Sequence, residues 1–363
     1  MRAKPTSVVV ALSGGVDSAV AAASLKMAGW EVRGVYFLLT SAALKTGMRT
    51  DSVKRVTRYL KIPLEVLDLK KVFRRQVIEP FVDAYVKGIT PNPCVVCNQL
   101  IKFEFLLDYA KQHEIECIAT GHYARVTKRN ESPCFELRRG KDRRKEQSYF
   151  LHRLRQPCLS RAVFPLGERT KDEVQKQARV LGLPVTTVSE SQEICFIEEN
   201  DYRSFVGGQR GPGVNKRGHI INHHGVILGE HNGAFRYTIG QRQGLGIASS
   251  RPWYVKEVRP EKNEILVGRK ESLYSSNVEA VGFTWIGAMP AKKVVEAQAQ
   301  IRYRHRAASG HLEIISADKV RFVFNEPQWA ITPGQALVCY DGDCVIGGGW
   351  IRRIHNGECG MGD

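Results

Sequence analysis

A chain of 363 residues with 54 lysines and arginines against 37 aspartates and glutamates, a net charge of +17, is too long for one ordinary domain and predicts two or three. No apolar run approaches the ~20 residues that span a bilayer, and the short polar start reads as no secretory leader, so membrane insertion is excluded and a cytoplasmic location is expected. The charge points to a polyanionic partner, and nine cysteines in such a chain argue against a disulfide framework and for reduced thiols, a few with chemical roles.

Residues 8–12 (VVVAL) read as a buried parallel strand and residues 19–27 as a helix closed by Gly29. Between them lies Ser13-Gly14-Gly15-Val16-Asp17-Ser18. Glycines let backbone N–H groups approach an anion, Ser13 and Ser18 add donors, and the helix dipole favours negative charge. The segment is a phosphate cradle, although local physics leaves a ligand-free turn equally open. No Gly-Lys-Ser/Thr follows, so it is not a Walker A loop, nor is it a dinucleotide fingerprint. Residues 31–39 give a second strand, 51–60 a helix with Asp51 near its N-cap, 64–69 a third strand and 70–85 a long amphipathic helix. This alternation predicts an α/β doubly wound parallel sheet with ligands at the carboxyl ends of its strands.

Residues 88–98 (GITPNPCVVCN) read as a Pro-rich loop carrying Cys94 and Cys97, followed by a helix over 102–113 and a short strand over 117–120. Gly121 at that strand's end admits a close ligand, and His122 is read either as a structural hydrogen-bonding residue or as an actor. Residues 138–145 (RRGKDRRK) are a basic run, read as a solvated loop or as contacts to nucleic-acid phosphates. A helix over 171–181 precedes residues 189–197 (SESQEICFI), where Cys195 has an apolar setting. From about residue 207 glycine becomes frequent and short β-like runs appear at 219–221, 226–228, 253–255 and 264–267, with a strand-and-turn segment at 237–247. After residue 273 the chain is strand-rich again, at 320–324 and 336–340. Short strands with frequent turns suggest small barrels, with domains over 1–206, 207–272 and 273–357.

Cys94 and Cys97 form a C-x-x-C pair, but no second pair or H-x-x-x-H completes a four-ligand zinc site. Cys195, between Ile194 and Phe196, reads as a buried apolar residue or, in an electropositive cleft, as a thiol shifted toward thiolate. Two such thiols on separate segments can exchange sulfur and close as a disulfide.

The string SGGVDS resembles the pyrophosphatase loop of the PP-loop ATPases, which cleave ATP between the α- and β-phosphates and adenylate a substrate. The ordered set SGGVDS, TPNPCVVCNQLIKF, ATGHYAR, KEQSYFL, SQEICFI, YTIGQRQGLGI, TPGQALVCY and GGGWI covers nearly the whole chain and resembles the MnmA-type tRNA-specific 2-thiouridylases. That resemblance implies a PP-loop domain, a central β-rich domain and a C-terminal β-barrel. It implies sulfur transfer to C2 of the tRNA wobble uridine with ATP, Mg²⁺ and a persulfide from a cysteine desulfurase or sulfur-carrier protein. It makes Ala11, Leu12, Ser13, Gly14, Gly15, Val16, Asp17, Ser18 and Phe37 line ATP, with Gly121 toward the adenine. Asn92, Pro93 and Cys94 meet the target base. Cys97 is the nucleophile and Cys195 the persulfide carrier, with Asp17 counted beside them as catalytic. His122, Lys145, Glu146, Gln147, Arg302, Tyr303 and Gln335 fall at tRNA contacts; Arg302 and Tyr303 also suit that role as a cation and a stacking face.

Two departures stand out. Many family members carry aspartate where Cys94 stands, and residues 38–48 are shorter and less acidic than usual. The extra thiol raises an alternative in which Cys94, Cys97 and Cys195 hold an iron-sulfur cluster with one open iron site. A PP-loop ligase or amidotransferase, with no need of Cys97 and Cys195, and a non-catalytic RNA-binding protein are the competing readings.

Overall fold

A computed structural model describes residues 7–40, 48–128, 133–185, 194–197 and 201–353. The run predicted as a central strand is one: Val8, Val9 and Val10 of β1 (Ser7–Leu12) have no exposed surface. Parallel neighbours β2 (Glu31–Leu38), β3 (Leu64–Asp68) and β4 (Cys117–Ala119) follow. A hairpin, β5 (Ala124–Lys128) and β6 (Phe135–Arg139), then leaves this sheet before β7 (Ala162–Val163) completes it in the order β3-β2-β1-β4-β7. Alternate β1 side chains enter two cores, as strand geometry requires. Val9 packs with Phe73, Ile101 and Leu106; Val8, Val10 and Leu12 pack with Ala22, Leu25 and Val53. Helices on both faces make the sheet doubly wound. The strand order reverses between β1 and β4, so the ligand crevice opens where Ser13 and Gly121 lie.

The first helix, Val16–Met27, starts three residues earlier than predicted, and the second, Met48–Leu60, also starts three residues early. The helix expected over 70–85 runs from Lys70 to Val86 with a π-helical segment at Arg74–Ile78. The Pro-rich stretch corrects its prediction. Cys94 and Cys97 are not in a loop, because Pro93–Val96 is a short helix that continues as the π-helical segment Cys97–Phe103 and then Glu104–Gln112. The Asn92 side chain accepts from Val95 N at 3.4 Å, and Pro93 occupies the first turn, where its missing N–H costs nothing. The prolines therefore start a helix.

The basic run is likewise not a plain solvated loop. Arg138 and Arg139 belong to β6, and the Arg139 guanidinium lies 3.7 Å over the Tyr340 ring. Arg143 pairs with Asp343, Arg144 with Asp172 at 3.4 Å and Lys141 with Glu173 at 3.8 Å. Much of its charge is met by acidic partners at the protein surface.

The helix Lys171–Val180 packs Val174 and Ala178 against Ala19, Val20 and Ala23 of the first helix. Thr170 caps it reciprocally with Glu173: Glu173 N donates to Thr170 Oγ1 at 3.3 Å, and Thr170 N donates to Glu173 Oε2 at 2.7 Å. Thr170→Ala is expected to cost about 1 kcal/mol in urea denaturation, and Thr170→Ser to leave the midpoint unchanged.

Another helix, Tyr202–Arg210, crosses residue 206 and leads into β8 (Arg217–Ile221), β9 (Ile227–Asn232), β10 (Tyr254–Arg259) and β11 (Glu264–Gly268). They form one sheet in the order β10-β11-β8-β9; residues 237–247, expected to mix strand and turn, hold no strand. Six further strands, β12 (Tyr274–Trp285), β13 (Val294–Gln300), β14 (Ala308–Ile314), β15 (Lys319–Trp329), β16 (Ala336–Asp341) and β17 (Cys344–Ile351), close into a barrel through a β12–β17 pairing. The hairpin β5–β6 extends this barrel sheet at β17, where Arg138 pairs with Cys344. No helix among the described residues is long and apolar enough to cross a membrane.

Candidate active site

The cradle is built by tying the loop's polar groups back to itself. Ser13 N donates to Ser18 Oγ at 3.1 Å, Ser18 Oγ donates to the Gly15 carbonyl at 3.1 Å, and Ser52 Oγ donates to the Gly14 carbonyl at 2.9 Å. Gly15 is the N-cap and offers no side-chain cap to the first helix, an arrangement that suits an anion at the first-turn amides. Gly14 has φ +82°, and a Cβ there would stand 2.8 Å from the Arg49 carbonyl oxygen. Ala11 and Phe37 flank the loop from the apolar side, in or against one core cluster that also contains Cys97. Gly121 corrects the reason given for it. A Cβ there would stand 2.8 Å from the Asp17 carbonyl carbon and 2.8 Å from Ser18 N, so glycine lets β4's end lie against the helix.

Asp17, in the first turn, sits among partners the sequence did not announce. Lys171 Nζ donates to Asp17 Oδ1 at 2.7 Å and Oδ2 at 2.9 Å, and the Tyr123 hydroxyl donates to Oδ1 at 2.8 Å. Burial and the Asp17 charge push the Tyr123 phenol far above its ordinary range, so it stays a donor. Nothing local marks a lysine 154 residues away; the T-x-x-E cap fixed only the head of its helix.

Chain folding brings the three cysteines together. Cys195 is exposed, whereas Cys97 is buried and Cys94 half-buried. The buried alternative for Cys195 is overturned, because its neighbours supply the anchors: the Phe196 ring meets Phe73 at 5.6 Å and Phe81 at 5.3 Å, leaving the thiol outward. Residues 189–193, the rest of the predicted SESQEICFI segment, lie outside the described residues, as do 41–47 of the stretch noted as shorter and less acidic. Cys195 comes close enough for a negative charge on it to be felt at both Cys94 and Cys97. The two inner thiols are shifted away from thiolate. Burial pushes Cys97 up to about 12 and Cys94 up to about 11, with only the Lys102 ammonium opposing. Among the described residues no three Cys, His, Asp or Glu side chains gather as a metal would require. We draw no step through an iron-sulfur group.

The residues expected at tRNA divide into two sets. Tyr303 is half-buried, its ring 4.3 Å from that of Phe150, and Lys145 is half-buried as well. Others face inward. His122 is buried between Phe103 and Phe164, bonded to Thr120 Oγ1 at 2.8 Å, and burial with Lys102 nearby holds it neutral. Glu146 is buried, accepting from Ser148 N at 3.0 Å and Ser148 Oγ at 2.6 Å, while Gln147 Oε1 accepts from Tyr123 N at 3.0 Å. Arg302 donates to the Trp329 carbonyl at 3.1 Å. Gln335 donates to the carbonyls of Thr90 at 3.0 Å and Pro91 at 3.3 Å, so the barrel braces the segment that leads into Asn92, Pro93 and Cys94. Behind that segment lies an apolar cleft of about 520 Å³ lined by Phe81, Pro93, Val96, Pro333 and Trp350; Cys94 and Cys97 do not line it.

Residues 6–199 match the family described as "tRNA methyl transferase HUP domain", residues 209–269 "tRNA methyl transferase PRC-barrel domain" and residues 275–351 "Aminomethyltransferase beta-barrel domain". The tRNA-specific 2-thiouridylase MnmA of Carboxydothermus hydrogenoformans is 43% identical over 358 residues, 95% of this chain and 97% of that protein. The protein of the same name from Geobacter metallireducens is 44% identical over 356 residues, 95% of this chain and 96% of its own. That of Syntrophotalea carbinolica is 43% identical over 355 residues, 97% of this chain and all of its own length. The glycine loop, the cysteine helix and a distant exposed cysteine thus sit in a chain of which at least 95% is matched by these proteins, and it belongs to the MnmA family of tRNA-specific 2-thiouridylases.

Proposed function

We propose that the protein is an ATP-dependent tRNA 2-thiouridylase acting on the wobble uridine. The observation that carries this reading is the approach of exposed Cys195 to Cys97 from a segment about a hundred residues away within the domain that holds the cradle. A uridine C2 carbonyl is a poor electrophile with a poor leaving group. Its oxygen therefore attacks the α-phosphate of ATP, the bond to the β-phosphate breaks, and pyrophosphate leaves an adenylated base. Mg²⁺ accompanying the triphosphate would be held by phosphate oxygens, where it offsets phosphate charge; the Asp17 carboxylate is already engaged by Lys171 and Tyr123.

Cys195, being exposed, accepts a sulfane sulfur from a cysteine desulfurase or a carrier protein. Two routes follow. The terminal persulfide sulfur attacks C2 and AMP departs; Cys97 then attacks the Cys195 sulfur, and the electron pair of the broken S–S bond forms the C2 thiocarbonyl. Alternatively Cys97 attacks first and releases hydrosulfide, which attacks C2. Both end in a Cys97–Cys195 disulfide that a thiol reductant must open. The raised Cys97 thiol favours the direct route, because a protonated Cys97 cannot discharge the persulfide before the substrate is in place. Cys94, raised as well, is a proton donor at neutral pH rather than the base an aspartate would supply.

Nucleoside mass spectrometry of unmodified tRNA incubated with the protein, ATP and a desulfurase tests the reading: 2-thiouridine is expected only when all are present. A product lacking sulfur, or full turnover without Cys97 and Cys195, would instead support an adenylating ligase. Tight tRNA binding is expected to weaken by on the order of 10³-fold between about 50 and about 200 mM salt, as six or more phosphate contacts require; a flat salt response in filter binding would remove tRNA as the partner.

A further inference from the structure

We propose that Lys171 grips the β- and γ-phosphates of ATP in the cradle and holds pyrophosphate as it leaves. The inference rests on the ATP reading and adds to it a residue from outside the loop. SGGVDS contains no lysine, unlike a Walker A loop, whose lysine reaches the β- and γ-phosphates. The charge of a triphosphate must therefore be met from another element. Lys171 is the first residue of a helix packed on the cradle's own helix, and its ammonium reaches the carboxylate of Asp17, one turn into the anion-facing end.

Both ends of this side chain are fixed. Its backbone N–H donates to Asp142 Oδ2 at 3.0 Å, and Asp142 is itself buried; the Thr170–Glu173 cap sets the helix start. Only 7% of the Lys171 side-chain surface is exposed, against 29% of Asp17. A pair of this kind is a weak stabiliser, since removing an ammonium from water offsets most of the attraction. As a phosphate ligand it has a clear use: a compact point charge of three donors, held beside oriented amides. Lys171 also neutralises Asp17, which would otherwise repel a triphosphate from the amides. As the bond between the α- and β-phosphates breaks, negative charge grows on the pyrophosphate oxygens, and a fixed ammonium there favours the transition state over the bound substrate.

The test is calorimetric binding of ATP, pyrophosphate and AMP to wild type, Lys171→Met and Lys171→Arg, with melting curves for each. The expected result is about 10- to 100-fold weaker ATP and pyrophosphate binding in Lys171→Met, AMP binding unchanged, and partial recovery of ATP binding in Lys171→Arg. Equal weakening of AMP and ATP, or no weakening of either in a folded variant, would overturn the assignment in favour of a purely structural ion pair. Should Lys171→Met not fold, Lys171→Gln, which keeps a hydrogen bond to Asp17, reads the same ATP-to-AMP ratio. Wild type that binds no ATP would sink the parent reading instead.

Discussion

Serine in place of Cys195 is expected to lower 2-thiouridine formation by at least about 10³-fold, and serine in place of Cys97 to do the same, because in the proposed transfer each removal takes away a sulfur on the route. The two variants fail differently. Cys195→Ser carries no persulfide after incubation with the desulfurase, whereas Cys97→Ser still does, and intact-protein mass spectrometry reads the extra sulfur. Alkylation of the unliganded protein separates the thiols further. Cys195 is exposed and reacts first at neutral pH. Cys97, buried and pushed up to about 12, bears almost no thiolate at pH 7, and its labelling rises about tenfold per pH unit as the medium is brought toward that value. Because Lys102 is the cation that opposes the shift, Lys102→Gln slows Cys97 labelling at every pH. Equal labelling of both cysteines at neutral pH would refute the buried setting of Cys97, and with it the argument for the order of sulfur transfer.

Gly14→Ala is expected to abolish ATP use, with ATP–pyrophosphate exchange down about 100-fold or more. At φ +82° a side chain costs about 1–2 kcal/mol in strain, and here the added carbon also meets the Arg49 carbonyl at 2.8 Å, so the loop must move and its amides lose their aim. Gly29 supplies the control. Its φ is +83° and nothing lies within 4 Å of an added Cβ, so Gly29→Ala carries the strain without the collision. It should lower the melting temperature by a few degrees and leave exchange intact. Loss of exchange in both variants would mean that stability, not loop geometry, is being measured.

The α/β region was legible because the code there is local. VVVAL can be buried on both faces only in a central parallel strand, and Gly-Gly before a helix start marks the cradle whether or not the ligand is known. The cysteine helix was misread because two prolines outweighed the signal beside them: an N-cap asparagine followed by proline at N1. The burial of Cys97, which outweighs the one nearby lysine, was not legible either, because it is set by packing from distant segments. The basic run looked free because its acidic partners, Asp343, Glu173 and Asp172, are distant in sequence. Lys171 and Tyr123 show the limit most plainly. Each is an ordinary residue in its own segment, and its meaning arises only when that segment packs beside Asp17.

The β5–β6 hairpin bears on how the protein is made. Arg138 finds its strand partner at Cys344, and Arg139 N donates to the Asp343 carbonyl at 2.8 Å, some two hundred residues further along the chain. While ribosomes are still synthesising the barrel, β6 presents an unpaired edge, and the catalytic domain waits, incomplete, for the last strand. Such long-range pairing slows folding and prolongs exposure to aggregation. A fragment ending near residue 206 would keep that edge of β6 uncovered.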